Sequence, residues 1–248
     1  MSGHSKWSTI KRKKAAVDAK RSKIFSNIIK EINVAVKEGG SDPEANPRLR
    51  LALANAKGAN MPKDNIQRAI SKAGEKDAAD FQQITYEGIA PGGVGIIVEC
   101  LTDNQQRTVS AIRSYFNKHN GKLETHGALD FIFDRKGVFT VPKNNLDADE
   151  FMLEVIDAGA EEVETDDDEY FTIYTAMEDF GSMQKKLEEL GLEPEKQELQ
   201  RIPQTTVSLD KEHSLKTLKL IDLIEDDDDV QNVFHNLELT DEIMQELQ

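Results

Sequence analysis

Near residue 80 the spacing of the apolar side chains changes, and that change limits what the chain can fold into. Before it, Ile24, Ile28 and Ile32 recur every four residues with Phe25, Ile29 and Val36 beside them. This is a stripe at helical period, and it predicts a helix from residue 15 to the pair Gly39-Gly40. A second helix has Leu49, Ala52, Leu53 and Ala56 inward, Arg48 exposed, and Gly58 as its stop. A third follows Pro62, with Ile66, Ala69, Ile70 and Ala73 inward and Gly74 as its stop. Residues 41–47 form a turn and 74–82 a linker. Three stripes this narrow make one small helical unit.

After the change, β-branched and aromatic runs alternate with helical patterns. Val94 to Leu101 reads as a buried strand. Asp103 or Asn104 can cap a helix carrying Val109, Ile112, Tyr115 and Phe116, ended by Gly121. A hairpin is expected next, with strands at 129–133 and 138–141 around a turn at Asp134–Gly137. Residues 146–158 read as a helix with Phe151, Val155 and Ile156 inward, 170–174 as a strand, and 177–190 as a helix stopped by Gly191. Short strands at 199–202 and 205–209 precede a helix at 215–224 that carries Leu218, Ile221 and Leu223. Residues 230–239 form a strand or a mixed segment. This order fits an α+β chain with modules of the split βαβ, ferredoxin-like kind. Residues 129–203 complete one such module, while 81–128 and 204–248 each supply half of another. The expected architecture has three domains: 1–80, a discontinuous middle domain of 81–128 and 204–248, and 129–203 inserted in it.

The charge changes at the same place. The chain of 248 residues carries a formal −15, yet residues 1–80 hold 17 lysines and arginines against 9 acids, a net +8. Residues 81–248 hold 14 against 37, a net −23. A basic head on an acidic body points to a polyanion partner. Phosphate binding needs many cations on one support, since each neutralised phosphate releases counterions. The candidate contacts are Lys6, Lys11, Arg12, Lys13, Lys14, Lys20, Arg21 and Lys23, then Lys30, Arg48, Arg50, Lys63 and Arg68. Trp7, the single tryptophan, either stacks on a base or anchors the arm to the helices.

Other chemistry is harder to assemble. Pro91-Gly92-Gly93-Val94-Gly95 precedes a strand, whereas a phosphate loop follows one, so it reads as a tight turn. The acidic runs 166–169 and 225–229 lack the ligand spacing of a calcium loop and read as solvated loop ends. The histidines have no zinc spacing, and Cys100, the single cysteine, sits mid-strand as a core residue. No nucleophile elbow is present. The expectation is a protein that is not an enzyme, with no cofactor, metal or small-molecule substrate. No run approaches the ~18 apolar residues of a membrane span, and the basic start lacks the apolar stretch of a secretory signal. A cytoplasmic protein with no membrane partner is expected, and its acidic surface suggests a monomer.

Several short motifs occur in order: Gly3-His4-Ser5-Lys6-Trp7 with Lys13-Lys14-Ala15-Ala16; Asp42-Pro43 with Asn46-Pro47-Arg48-Leu49-Arg50; Tyr86-Glu87-Gly88 with Gly92-Gly93; Glu99 to Asn104 with Arg107-Thr108; and Asp228 to Val233 with His235-Asn236. On these the chain resembles the YebC/PmpR family over nearly its whole length. It departs at Gly127-Ala128, where family members often have Gly-Ser, and its linker near residue 76 is short. The resemblance implies a helical domain and two α+β domains, the third inserted in the second. It also implies a cytoplasmic bacterial protein of the kind assigned as a transcriptional regulator that binds DNA. A mitochondrial relative is a translational activator, and bacterial members are linked to the ribosome and to relief of stalling.

Two partners therefore stand side by side. For duplex DNA, the third helix offers only Lys63, Asn65, Gln67 and Arg68 to read bases, and phosphate contacts position without specifying. For ribosomal RNA, the acidic modules would face basic ribosomal proteins, which suits the charge split better. The family's usual assignment favours the first.

Overall fold

The computed structural model describes residues 18–75, 78–144 and 146–246. It is mixed α+β, with a helical unit ahead of two four-stranded antiparallel sheets. The helical unit contains α1 (Asp18–Gly39), α2 (Pro47–Gly58) and α3 (Lys63–Ala73). Ile32, Ala35, Val36, Leu49, Ala52, Ala69 and Ala73 form its core. Alanine predominates because helices in so small a unit must pack closely. Buried Asn46 fixes the entry to α2: its Oδ1 accepts from Leu49 N at 3.0 Å, and its Nδ2 donates to the carbonyls of Ala35 and Gly40. Pro47 then occupies the first helical position, where no N–H is needed.

The first sheet has the order β3-β1-β2-β8, with β1 at Gln82–Ala90, β2 at Val94–Thr102, β3 at Lys122–Leu123 and β8 at Val230–His235. Strand β2 is covered on both faces, which explains its unbroken apolar run. One face carries α4 (Gln105–Lys118) and α7 (Lys211–Glu225), whose Ile112, Phe116, Leu218 and Ile221 share a core with Ile96, Val98 and Cys100 of the strand. On the other face Ile97 and Phe234 meet Leu129 and Phe133. The second sheet has the order β5-β6-β4-β7, from β4 (Phe133–Pro142), β5 (Ala160–Glu164), β6 (Tyr170–Ala176) and β7 (Lys196–Pro203). Helices α5 (Ala148–Asp157) and α6 (Phe180–Glu189) connect its strands, and a short α8 (Asp241–Glu246) ends the described chain. The strands of the second sheet lie in sequence between β3 and β8 of the first.

Several expectations fail. No hairpin forms at 129–141: residues 130–132 make a 3-10 turn and 133–142 one strand, paired with both β6 and β7. Gly137 is a close-approach glycine rather than a turn residue, because a Cβ there would lie 2.4 Å from Thr175 Oγ1 and 2.8 Å from the Phe180 ring. Residues 205–209 are not a strand; Val207 makes one isolated bridge to Leu237. Ile156, expected inward, is 55% exposed. Strands β1, β3 and β5 and helix α8 are additions to the expected elements. The residues Pro91–Gly93 do form a tight turn, joining β1 to β2 with Gly92 and Gly93 at φ +85° and +86°.

The helical unit also touches the second sheet. The Asn55 side chain donates to Gln197 O and accepts from Gln197 N, both at 2.9 Å, on edge strand β7. Gly58 permits this approach, since a Cβ there would stand 2.1 Å from the Glu195 carbonyl oxygen. Backbone cannot retreat as a side-chain tip can. Gly58→Ala should therefore cost about 1–3 kcal/mol, the usual range for overpacking, read as a lower urea midpoint. Faster amide exchange at 195–198 should accompany it. Unchanged stability and exchange would mean that α2 does not rest on β7.

Candidate nucleic-acid interface and the acidic loop against it

The candidate cations separate into three groups. Lys6, Trp7, Lys11, Arg12, Lys13 and Lys14 lie outside the described residues, and Lys20 is described only as part of α1. A second group is engaged within the molecule. Lys23 Nζ donates to the Asp227 carbonyl at 2.5 Å. Lys30 Nζ donates to the carbonyls of Asp228 (2.6 Å) and Leu101 (3.2 Å) and to Asp229 Oδ1 (3.2 Å), and lies 5.2 Å from the Phe81 ring centroid. Arg48, expected to be exposed, is half-buried and bridges Glu31 at 2.7 Å and Glu38 at 2.8 Å. Lys23 and Lys30 of α1 thus face another part of the chain.

The third group faces solvent. Arg21 lies over Phe25, 5.5 Å from its centroid. Arg50 donates to the carbonyls of Pro43 and Glu44, and Arg68 to Asp64 O and Asn65 Oδ1. Lys63 and Lys72 are exposed on α3, with Arg68 and Lys72 one turn apart. None of Arg50, Lys63, Arg68 and Lys72 has a carboxylate ion pair among the described residues.

The loop after α7, expected to be solvated, is in part buried, and the structure corrects that reading. Asp229 is buried and accepts from Arg107 Nη2 and Thr108 Oγ1 at 2.8 Å each and from Thr102 Oγ1 at 3.1 Å, beside the Lys30 contact. Burial alone would raise its pKa. Hydrogen bonds from Arg107, Thr108 and Lys30 outweigh that and hold the carboxyl below its usual range. Asp227 stands next to it, accepting from Tyr115 OH at 2.9 Å, and the phenol is pushed up to about 12 by burial and by that bond. Burial lowers the pKa of the Lys23 ammonium, against the pull of Asp226, Asp227 and Asp228. Asn27 Nδ2 completes the seam by donating to Val230 O at 3.2 Å. Cys100, below this loop, is fully buried and its thiol is pushed up to about 12, chiefly by burial, which suits a core residue.

Sequence reasoning missed Thr102, Arg107, Thr108 and Asp229 as one centre. The signal was present in the motifs that carried the family resemblance, which converge here. Asn104 caps α4 through Arg107 N, and Asn236 Oδ1 accepts from Gly95 N at 2.8 Å. Glu87, from another motif, is buried and accepts from Gly127 N (2.6 Å) and Leu129 N (2.7 Å). These motif residues act as joints between segments far apart in sequence.

Comparison with known proteins gives a consistent result. Residues 5–76 match the family model for the TACO1/YebC protein N-terminal domain, and residues 81–237 the model for the TACO1/YebC second and third domain. A protein of Amoebophilus asiaticus named "Probable transcriptional regulatory protein" is 52% identical over 239 residues, covering 96% of this chain and 98% of its own. One of Persephonella marina with the same name is 48% identical over 249 residues, covering both chains fully. The crystal structure of a conserved hypothetical protein from Aquifex aeolicus is similar at a TM-score of 0.83 and 43% identity, over 91% of this chain and 93% of that one.

Proposed function

Because the chain belongs to the TACO1/YebC family, we propose that it regulates gene expression by binding nucleic acid through its cationic N-terminal third. The observation that carries this reading is the charge division: net +8 before residue 81 and net −23 after it. Intramolecular contacts narrow the set that is open with the 227–229 loop in place. Lys23 and Lys30 are covered by that loop and Arg48 is taken by Glu31 and Glu38, so the open contacts are Lys6, Lys11, Arg12, Lys13, Lys14, Lys20 and Arg21, continued by Arg50, Lys63 and Arg68. Trp7 stands among the arm cations as a stacking group. The protein acts on phosphodiester backbone with little base reading and performs no chemistry of its own.

The relatives' name supports DNA as the target and transcription as the process. A second reading, ribosomal RNA and translation, is favoured by the acidic body, which is repelled along a naked duplex but suits a surface shared with basic proteins. One experiment separates them. Lysate treated with DNase is sedimented through sucrose and the protein is followed. Transcription predicts that it stays at the top, while a footprint appears on promoter DNA. Co-sedimentation with ribosomes that is lost when Lys11–Lys14 are changed to alanine would transfer the assignment to translation. Neither behaviour, with no salt-dependent binding to DNA or RNA, would end the nucleic-acid reading.

A further inference from the structure

Helix α1 directs Lys23, Asn27 and Lys30, at i, i+4 and i+7, onto one loop. That loop is Glu225-Asp226-Asp227-Asp228-Asp229, five acidic residues in a row. Two of them serve the fold: Asp229 anchors Arg107 and Thr108, and Asp227 accepts from Tyr115. Asp226 and Asp228 are different. Both side chains are exposed, and neither carboxylate has a hydrogen bond or ion pair among the described residues. Neither carboxylate is bonded to the fold; both act on the Lys23 ammonium only through space, beside the helix that follows directly on the basic arm. A row of closely spaced negative charges against a lysine stripe is what a phosphodiester chain would also present.

We propose that the loop 225–229 is a built-in competitor for the nucleic acid, covering the lysine face of α1 and weakening binding until the polyanion displaces it. This rests on the nucleic-acid reading above and adds its regulation. Asp226 and Asp228 supply the competing charge. Lys23 and Lys30, bonded largely to backbone carbonyls of the loop, are the cations released when it gives way. Affinity is then set by a contest inside the molecule as well as by the cations in the arm.

A purely adhesive seam behaves differently, and the test separates the two. Asp226→Asn/Asp228→Asn leaves Asp229 and Asp227 in place. Asp166→Asn/Asp168→Asn removes the same charge from exposed positions in the β5–β6 turn of the other sheet, as a control for net charge. Binding to a 20-nucleotide duplex, in DNA and in RNA form, is followed by fluorescence anisotropy at about 50 mM and about 300 mM salt. The loop variant should bind about threefold to tenfold tighter at the lower salt, well beyond the control, and the gain should shrink at the higher salt as the screening length shortens. In the unaltered protein, amides at 226–231 should exchange faster when nucleic acid is bound. A gain no larger than the control's, or slower or unchanged exchange, overturns the proposal. If the unaltered protein binds neither duplex at either salt, it is the underlying nucleic-acid reading that fails.

Discussion

Asp229→Asn is expected to remove about 3 kcal/mol of unfolding free energy at pH 7, at the low end of the ~3–5 kcal/mol for breaking a buried ion pair. The carboxylate side chain is 8% exposed and has four donors, two of them cationic. Lys30 is 15% exposed and suffers most from losing it, whereas Arg107, at 53%, can rehydrate. The amide cannot balance two positive charges, and its NH2 faces donors on at least one side. The pH dependence follows from the depressed pKa of Asp229. A carboxyl whose folded pKa lies below its unfolded value of about 3.9 stabilises fully above that value. Its contribution is lost as the pH falls through the lower, folded value. The gap between the two proteins should therefore be full at pH 7, begin to close near pH 4, and vanish in stronger acid, where the unaltered protein carries the same neutral group. Urea denaturation across this range measures it. A gap under about 1 kcal/mol at pH 7, or one that persists unchanged at pH 3, would show that Asp229 is not the buried charge described.

That centre also shows where the sequence was readable and where it was not. The stripes of α1–α3 and the apolar run of β2 depend on nearest neighbours along the chain, so their period alone locates them. The same holds for the cap at Asn104 and for the turn at Gly92-Gly93. Strand β1 is hidden because Glu87 breaks its apolar alternation. That charge is tolerated inside only because amides forty residues away, at Gly127 and Leu129, converge on it. Strand β5 is hidden for the opposite reason: as an edge strand it carries Glu161, Glu162 and Glu164, the usual protection of an open edge, and looks like a loop. Gly137 passes for a turn because sequence does not distinguish a glycine needed for φ from one needed for space. The lysines of α1 are the most consequential case. The sequence tells that they are cationic, but not that Asp227 to Val230, some two hundred residues later, take Lys23, Asn27 and Lys30.

Deleting residues 2–17 should then remove about half of the salt dependence of binding. The deletion removes Lys6, Lys11, Arg12, Lys13 and Lys14 together with Trp7, and stops short of Lys23 and Lys30, so the seam to the acidic loop is left intact. Each phosphate neutralised contributes about −0.9 to the slope of log K against log salt on B-DNA and about −0.7 on single strands. Five arm cations acting together correspond to a loss of about 4.5 in slope on duplex, and about 3.5 on single-stranded RNA. Near 100 mM salt a slope change of this size amounts to a loss of affinity of roughly a thousandfold or more. Changing Arg68 and Lys72 to alanine, with the arm present, should flatten the slope by no more than about 2 and leave the larger part of the affinity. The unequal size of the two effects is the discriminating result. If the truncated protein binds as tightly and with the same slope, the arm is not the handle. If the α3 pair costs more than the arm, recognition lies on the folded surface of the helical unit, and the role assigned to residues 2–17 is wrong.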